Sequence, residues 1–413
     1  MSEYQYYEFL AIDRALSKEQ MAELRALSTR ATITPTRFQN VYNYGDFRGD
    51  PKRLMESYFD AFIYVTNWGT RWLMLRLPGR LLDVGTVRRY AFGVEDKLDA
   101  WAKGELVILS FRSADEGGDW EEGDGWLTSL VPLWAELAGG DVRSLYIGWL
   151  AGIQDQARLD GADLAEVDGS EQWGEDAEPG EDVHGPLAGE VEPPVPDGLG
   201  RLSAPLEALA DFLRLDRDLL AVAAERSTSM PAAPSREQWE RCLRDLPAPE
   251  KDALLLRLVA DGDTQVQAEV TQRFRRQMAA AGPGVSQTSA RRTVGELLRA
   301  AEDRAKRRRH EEAERKAKER AFAEEEQARA RALCLEGLAG REEEIWRRVE
   351  ALVEAKKAKE YDDAVRLLGD LKDLAARAGS AGEFAGRVGE LRARHTKKPS
   401  FVQRLDQASL TGK

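Results

Sequence analysis

Three histidines set the limits on acid–base and metal chemistry in this chain. His184 lies in an acidic stretch, His310 inside an arginine run and His395 near the last residues, and no HExxH occurs. Imidazole titrates close to neutral pH, which makes histidine the usual first candidate for proton transfer. Here none has apolar neighbours that would shape a pocket around it. Zinc needs four close Cys or His ligands, or three with a carboxylate. Cys242 and Cys334 are the only cysteines and are far apart, so no metal site and no cofactor is expected. The same pair rules out a disulfide framework and points to a reducing, cytoplasmic setting.

Phosphate and acyl chemistry lack their signatures as well. No GxxxxGK[ST] loop, no GxGxxG opening a helix after a strand and no GxSxG elbow occurs. Asp and Glu number 73, so a nearby pair of carboxylates carries no information by itself. The loop from Asp115 to Asp124 has glycines where calcium ligands should stand. Asp261 and Asp263 begin like a calcium loop, but Val266 replaces the required glycine and Gln272 the closing glutamate. The run WEEGDGW, Trp120 to Trp126, would place acids between two indoles at a ligand cleft. The plainer reading is that both indoles anchor a loop to the core. No catalytic residue is assigned.

The strongest chemistry-bearing run is basic: Arg304, Lys306, Arg307, Arg308 and Arg309, extended by Arg291, Arg292, Lys316, Lys318 and Arg320. Residues 291–320 hold twelve basic and seven acidic side chains, a surplus of five that would suit contact with phosphates. No aromatic residue is interleaved, so base stacking is not expected. The simpler alternative is a solvated helix, and a third is that the patch folds back onto the acidic linker of residues 155–200. A net charge of −13 argues against a protein dominated by nucleic acid or anionic membrane.

The elements that would position these residues divide the chain. Residues 1–154 are aromatic-rich and hold seven of the ten tryptophans, which marks a core. A strand is expected over Tyr6–Ile12. A helix follows, opened by the capping box of Ser17 and Gln20, and then an extended stretch from Thr32 to Tyr44 broken by Pro35. A helix from Asp50-Pro51 is expected to run to about Trp68, ahead of a strand from Arg71 to Leu77. Short strands at Val87–Phe92 and Leu106–Arg112 and helices near Trp126–Leu137 and Asp141–Gln154 complete it. The order predicts an α+β fold with a mostly antiparallel sheet.

Residues 155–200 carry fourteen acids and one arginine, a composition that predicts a disordered linker. Residues 201–281 read as a small helical domain, with a second capping box at Ser235 and Gln238. Residues 290–340 read as a long charged helix opened by Thr293 and Glu296, too poor in apolar residues for a coiled-coil seam and suited to a rigid spacer. Residues 341–400 show three amphipathic segments, expected to form a helical bundle. No run is long and apolar enough to span a membrane, and the opening MSEYQYYEFLAIDR lacks the basic region of a secretory signal.

The opening SEYQYYEFLAIDR with NWGTRWLMLRLP, together with GELVILSF, LYIGWLAGIQ and the KKPSFVQRL tail, resembles a group of uncharacterised bacterial proteins. The resemblance covers most of the chain and implies a bacterial, cytoplasmic protein built as one unit. It brings no catalytic residue.

The layout predicts a non-enzymatic binding or adaptor protein in a bacterial multi-protein assembly. The alternative is a nucleic-acid-binding accessory factor that uses residues 291–320. An enzyme with a site near Asp115–Trp126, or near Arg71 and Arg76, is a third reading. An exposed acidic tether also suits a protease, so the protein is a candidate regulated substrate in stress or antiviral defence.

Overall fold

The computed structural model describes residues 3–92, 97–114, 122–167, 188–230, 234–260, 262–263, 265–281, 291–355 and 357–410. They fall into two compact units, Met1–Arg307 and Arg308–Lys413. The chain is α+β, as its pattern predicts.

The first unit is built on strands β1 (Gln5–Leu10), β2 (Thr32–Thr34), β3 (Arg37–Tyr42), β4 (Ala61–Thr66), β5 (Arg71–Pro78), β6 (Leu98–Lys103) and β7 (Leu106–Ser113). They form one sheet in the order β2-β3-β1-β4-β5-β7-β6, and every pairing is antiparallel. The central strands are buried on both faces. Tyr7, Phe9, Phe38, Phe62, Trp72 and Met74 line one face, covered by α1 (Lys18–Leu27) and α2 (Pro51–Ser57). Ile63, Val65, Leu73, Leu75, Leu109 and Phe111 line the other.

That second face collects most of the helices. They are α3 (Val84–Arg88), α4 (Trp126–Leu130), α5 (Leu133–Ala138), α6 (Arg143–Val167), α7 (Ala204–Phe212) and α8 (Arg217–Ala224). Leu206, Leu209 and Phe212 of α7 and Leu219 and Val222 of α8 share the core of the sheet. The expected separate domain over 201–281 therefore begins inside the first unit. An apolar helix stripe needs a surface to cover, and the sheet supplies it. Two arginines fix the dock. Arg71 on β5 donates to the carbonyls of Asp211 and Phe212 at 2.8 and 3.2 Å. Arg214 donates to Gly69 O at 2.8 Å.

Two sequence expectations fail locally. The helix from Asp50 stops at Ser57 instead of reaching Trp68, and Ala61–Thr66 is strand β4. A central strand buried on both faces is a continuous apolar run, which periodicity cannot tell from a helix. The expected strand Val87–Phe92 is absent: Val87 and Arg88 end the short helix α3, whose N-cap Asp83 accepts from Thr86 N at 2.8 Å, and a turn follows. The edge strand there is β6, which the sequence reading missed.

The expected linker 155–200 also needs correction at both ends. Helix α6 continues to Val167. Residues 188–200 are packed, with Glu192 and Leu199 buried, because that stretch also holds apolar and proline residues that find a surface. Residues 168–187, with His184, lie outside the described residues.

Helices α9 (Arg236–Asp245), α10 (Ala248–Val259) and α11 (Val266–Ala281) follow. They have a thin core in which Trp239 stacks on Phe274 at 4.7 Å. Helix α12 (Val294–Leu338) opens with the reciprocal Thr293–Glu296 cap. It buries Val294 and Leu297 in the first unit, and from Glu302 to Cys334 nearly every side chain is exposed.

In the second unit, α13 (Glu342–Glu354), α14 (Ala358–Arg377), α15 (Ala381–Arg394) and α16 (Pro399–Gln407) enclose a core of their own. Ile345, Trp346 and Val349 meet Leu368, Leu371, Val388 and Phe401 there. The expected bundle is present, and the tail adds a fourth helix.

Candidate functional site

The basic run lies on one continuous helix, and its members have different surroundings. Arg304, Lys306, Arg307, Arg308 and Arg309 are all exposed on α12. Arg304 reaches the buried carboxylate of Asp218, with Nε 3.4 Å from Oδ1. Further along, basic groups face acids one turn away: Lys316 with Glu312 at 3.0 Å, Lys318 with Glu314 at 3.8 Å and Arg315 with Glu319 at 3.8 Å. Such exposed i,i+4 pairs give a solvated helix modest support, weakened by salt. Much of the local positive charge therefore supports the helix itself.

Arg292 departs furthest from the expectation of a surface patch. It is 7% exposed. Its Nε and Nη2 donate to the two oxygens of Glu192 at 3.0 and 2.7 Å, and Nη1 donates to Val222 O at 3.2 Å. The Tyr146 hydroxyl donates to the same carboxylate at 2.5 Å. Burial, and then Glu192, push the Tyr146 hydroxyl far above the usual tyrosine range. A backbone bridge between Val191 and Thr293 runs alongside. Arg292 of the extended basic stretch thus pairs with Glu192 of the acidic segment, while Arg304 of the central run turns to Asp218, outside that segment.

The other sequence candidates are structural. Trp126 packs against Phe212 with centroids 5.4 Å apart, and the Arg71 guanidinium lies 5.2 Å from the Trp126 ring. This is the anchoring role; Trp120 lies outside the described residues. Asp263 pairs with Arg257 at 2.8 Å and Arg80 at 3.1 Å. Arg76 pairs with buried Asp60 at 2.7 Å. His310 is exposed beside Glu314, and His395 packs edge-on against Phe401. Among the described residues, no group of three or more His, Cys, Asp or Glu could hold a metal, and no helix is long and apolar enough to cross a membrane.

One polar convergence escaped the sequence reading. The Tyr6 hydroxyl donates to Glu8 at 2.8 Å and lies 3.3 Å from Asp124, while Gln39 donates to it at 3.1 Å. Arg37 pairs with Glu8 at 2.7 Å. Strand alternation puts Tyr6 and Glu8 on one face, but only the fold brings Asp124 there. Burial, then Glu8, hold the phenol well above its ordinary titration range. A Cβ at Gly123 would sit 2.4 Å from the Tyr6 ring, so the chain closes tightly over the cluster, which acts as a brace.

The most unusual surface is on α10. None of its residues is buried, although it carries the run Leu254-Leu255-Leu256-Arg257-Leu258-Val259. Leu255, Leu256, Leu258 and Val259 are 48–80% exposed. The sequence signal was an aliphatic run interrupted only by Arg257 in a short helix, which reads as core until the packing is known.

No protein-family model, no curated protein and no solved structure matches this chain.

Proposed function

We propose that this chain is a non-enzymatic binding or adaptor protein of a bacterial multi-protein assembly, and that a protein partner seats on α10. The observation that supports this reading is the exposed aliphatic face of Leu255, Leu256, Leu258 and Val259. Fully burying one such side chain is worth about 1.5–3 kcal/mol, and contiguous exposed patches of a few hundred Å² commonly mark interaction sites. The occupant in this reading is a different protein, with an apolar groove whose rim answers Lys251 and Asp252.

The test uses the full chain with a photo-crosslinker at Leu256, expressed in its native host. Crosslinking should give one partner adduct. The Leu255→Asp, Val259→Asp double variant should lose it with an unchanged melting temperature. Crosslinks only to a second copy, or binding to lipid vesicles in place of protein, would overturn the reading.

A second reading, a nucleic-acid accessory factor, draws support from the exposed cluster at 304–309. Replacing Arg307, Arg308 and Arg309 with alanine should then weaken low-salt DNA or RNA binding and flatten its salt dependence. No shift of the wild-type protein at low salt would remove it. Regulated cleavage within the acidic segment, in a cytoplasmic stress or antiviral defence setting, is compatible with either.

A further inference from the structure

A half-open cavity of about 290 Å³ lies where α11 meets α3 and the end of α5. Leu82, Leu137 and Val142 are among the apolar residues of its lining. Three guanidinium groups reach its lining from two directions: Arg89 just past α3, and Arg275 and Arg276 from α11. Arg275 is held in place, because its Nη1 donates to Gly139 O at 2.6 Å. Arg89 donates to Thr86 Oγ1 at 3.1 Å.

The lining has one carboxylate, Asp83, and its oxygens are occupied locally. Oδ1 accepts from Thr86 N at 2.8 Å and Oδ2 from the Thr86 hydroxyl at 2.7 Å. Three arginines against one aspartate leave the lining net positive, with Glu136 near enough to Arg275 to offset part of that charge. Guanidinium groups match phosphate oxygens with paired donors, so arginines converging from separate elements suit an anion. Small-molecule sites are mostly apolar, with few polar groups, and run from roughly 300 Å³ upward; this cavity is at the small end. Inorganic phosphate would leave the apolar part of the lining uncovered.

The geometry points to a binding site for a small phosphate monoester, its phosphate between Arg89, Arg275 and Arg276 and its apolar body over Leu82 and Val142. Because the arginines come from α3 and α11, the ligand ties the α9–α11 segment to the sheet-bearing body. This tie is independent of any partner on α10.

The probe is phenyl phosphate, titrated calorimetrically into the full chain at fixed ionic strength, with inorganic phosphate and phenol as comparators. Phenyl phosphate should saturate one site, at least tenfold tighter than inorganic phosphate, and phenol should not bind. Arg89→Gln and Arg276→Gln, both at exposed positions, should each weaken phenyl phosphate tenfold or more and leave the unliganded melting temperature unchanged. Amide exchange along α11 should slow when the site is filled. Failure of phenyl phosphate to bind at millimolar concentration would overturn the assignment. So would affinity unchanged in both variants, or equal affinity for the two phosphates.

Discussion

Glu192 accepts from Tyr146 and Arg292, and all three side chains are buried. Removing the carboxylate would strand a guanidinium and a phenol away from water. Glu192→Ala should therefore cost about 3–5 kcal/mol in urea unfolding of the first unit, the usual loss when one partner of a buried pair is deleted. Glu192→Gln keeps one acceptor and should cost less. His395 makes a pH-dependent prediction in the second unit. Burial, then Lys398, hold its pKa below the ordinary histidine value, against an opposing pull from Glu354. Above pH ~6.5 the imidazole is neutral in both folded and unfolded states. As pH falls through that value the unfolded chain takes up the proton first, so stability declines until the lower, folded pKa is passed. Thermal melts from pH 7.5 to 5 should show this slope for the second-unit transition, and His395→Gln should flatten it. At this scale the sequence was legible where the chemistry is local. Ser17 with Gln20, Asp50, Ser235 with Gln238 and Thr293 with Glu296 all cap as their spacing predicts. Arg292 was misread because its partner lies 100 residues away.

Helix α12 is ordinary in its first two turns, where Val294 and Leu297 are buried, and then becomes a solvated rod stiffened by charge pairs. Hydrogen exchange on the full chain should show strong protection for residues 294–301 and much weaker protection from 302 to 333, falling further in 1 M salt as the pairs are screened. Uniform protection along the helix would mean that something covers it. Of the elements that sequence reading placed well, α1, β3 and α13–α15 have one polar face or a clear cap, while β5 and β7 are short apolar runs buried on both faces. Among those it missed are β4 and α3. β4 is apolar on both faces, and α3 is too short for a period to show. The α10 face was visible as composition, but its exposure depends on what the rest of the chain declines to cover.

Within the first unit, pieces on either side of residues 168–187 are laced together. Tyr90 donates to Pro194 O at 3.2 Å, Arg143 to Gly198 O at 3.2 Å and Gln154 to Arg214 O at 3.0 Å. Leu206, Leu209 and Phe212 share one core with β4, β5 and β7. Limited proteolysis that cuts between 168 and 187 should therefore give two bands on a denaturing gel and one particle by native size-exclusion chromatography. Separation of the fragments without denaturant would contradict the shared core. The sequence suggested a tether between independent modules. It could not show that the chain on the far side returns to the sheet, because amphipathic helices announce a face to bury and not the surface that receives it.

The buried carboxylate at position 192 thus belongs to a seam that spans two stretches of chain distant in sequence. A gene divided inside the acidic segment should still yield a working whole: polypeptides 1–167 and 188–413, made separately in one cell, have the complementary surfaces to find each other and restore the sheet-bearing body.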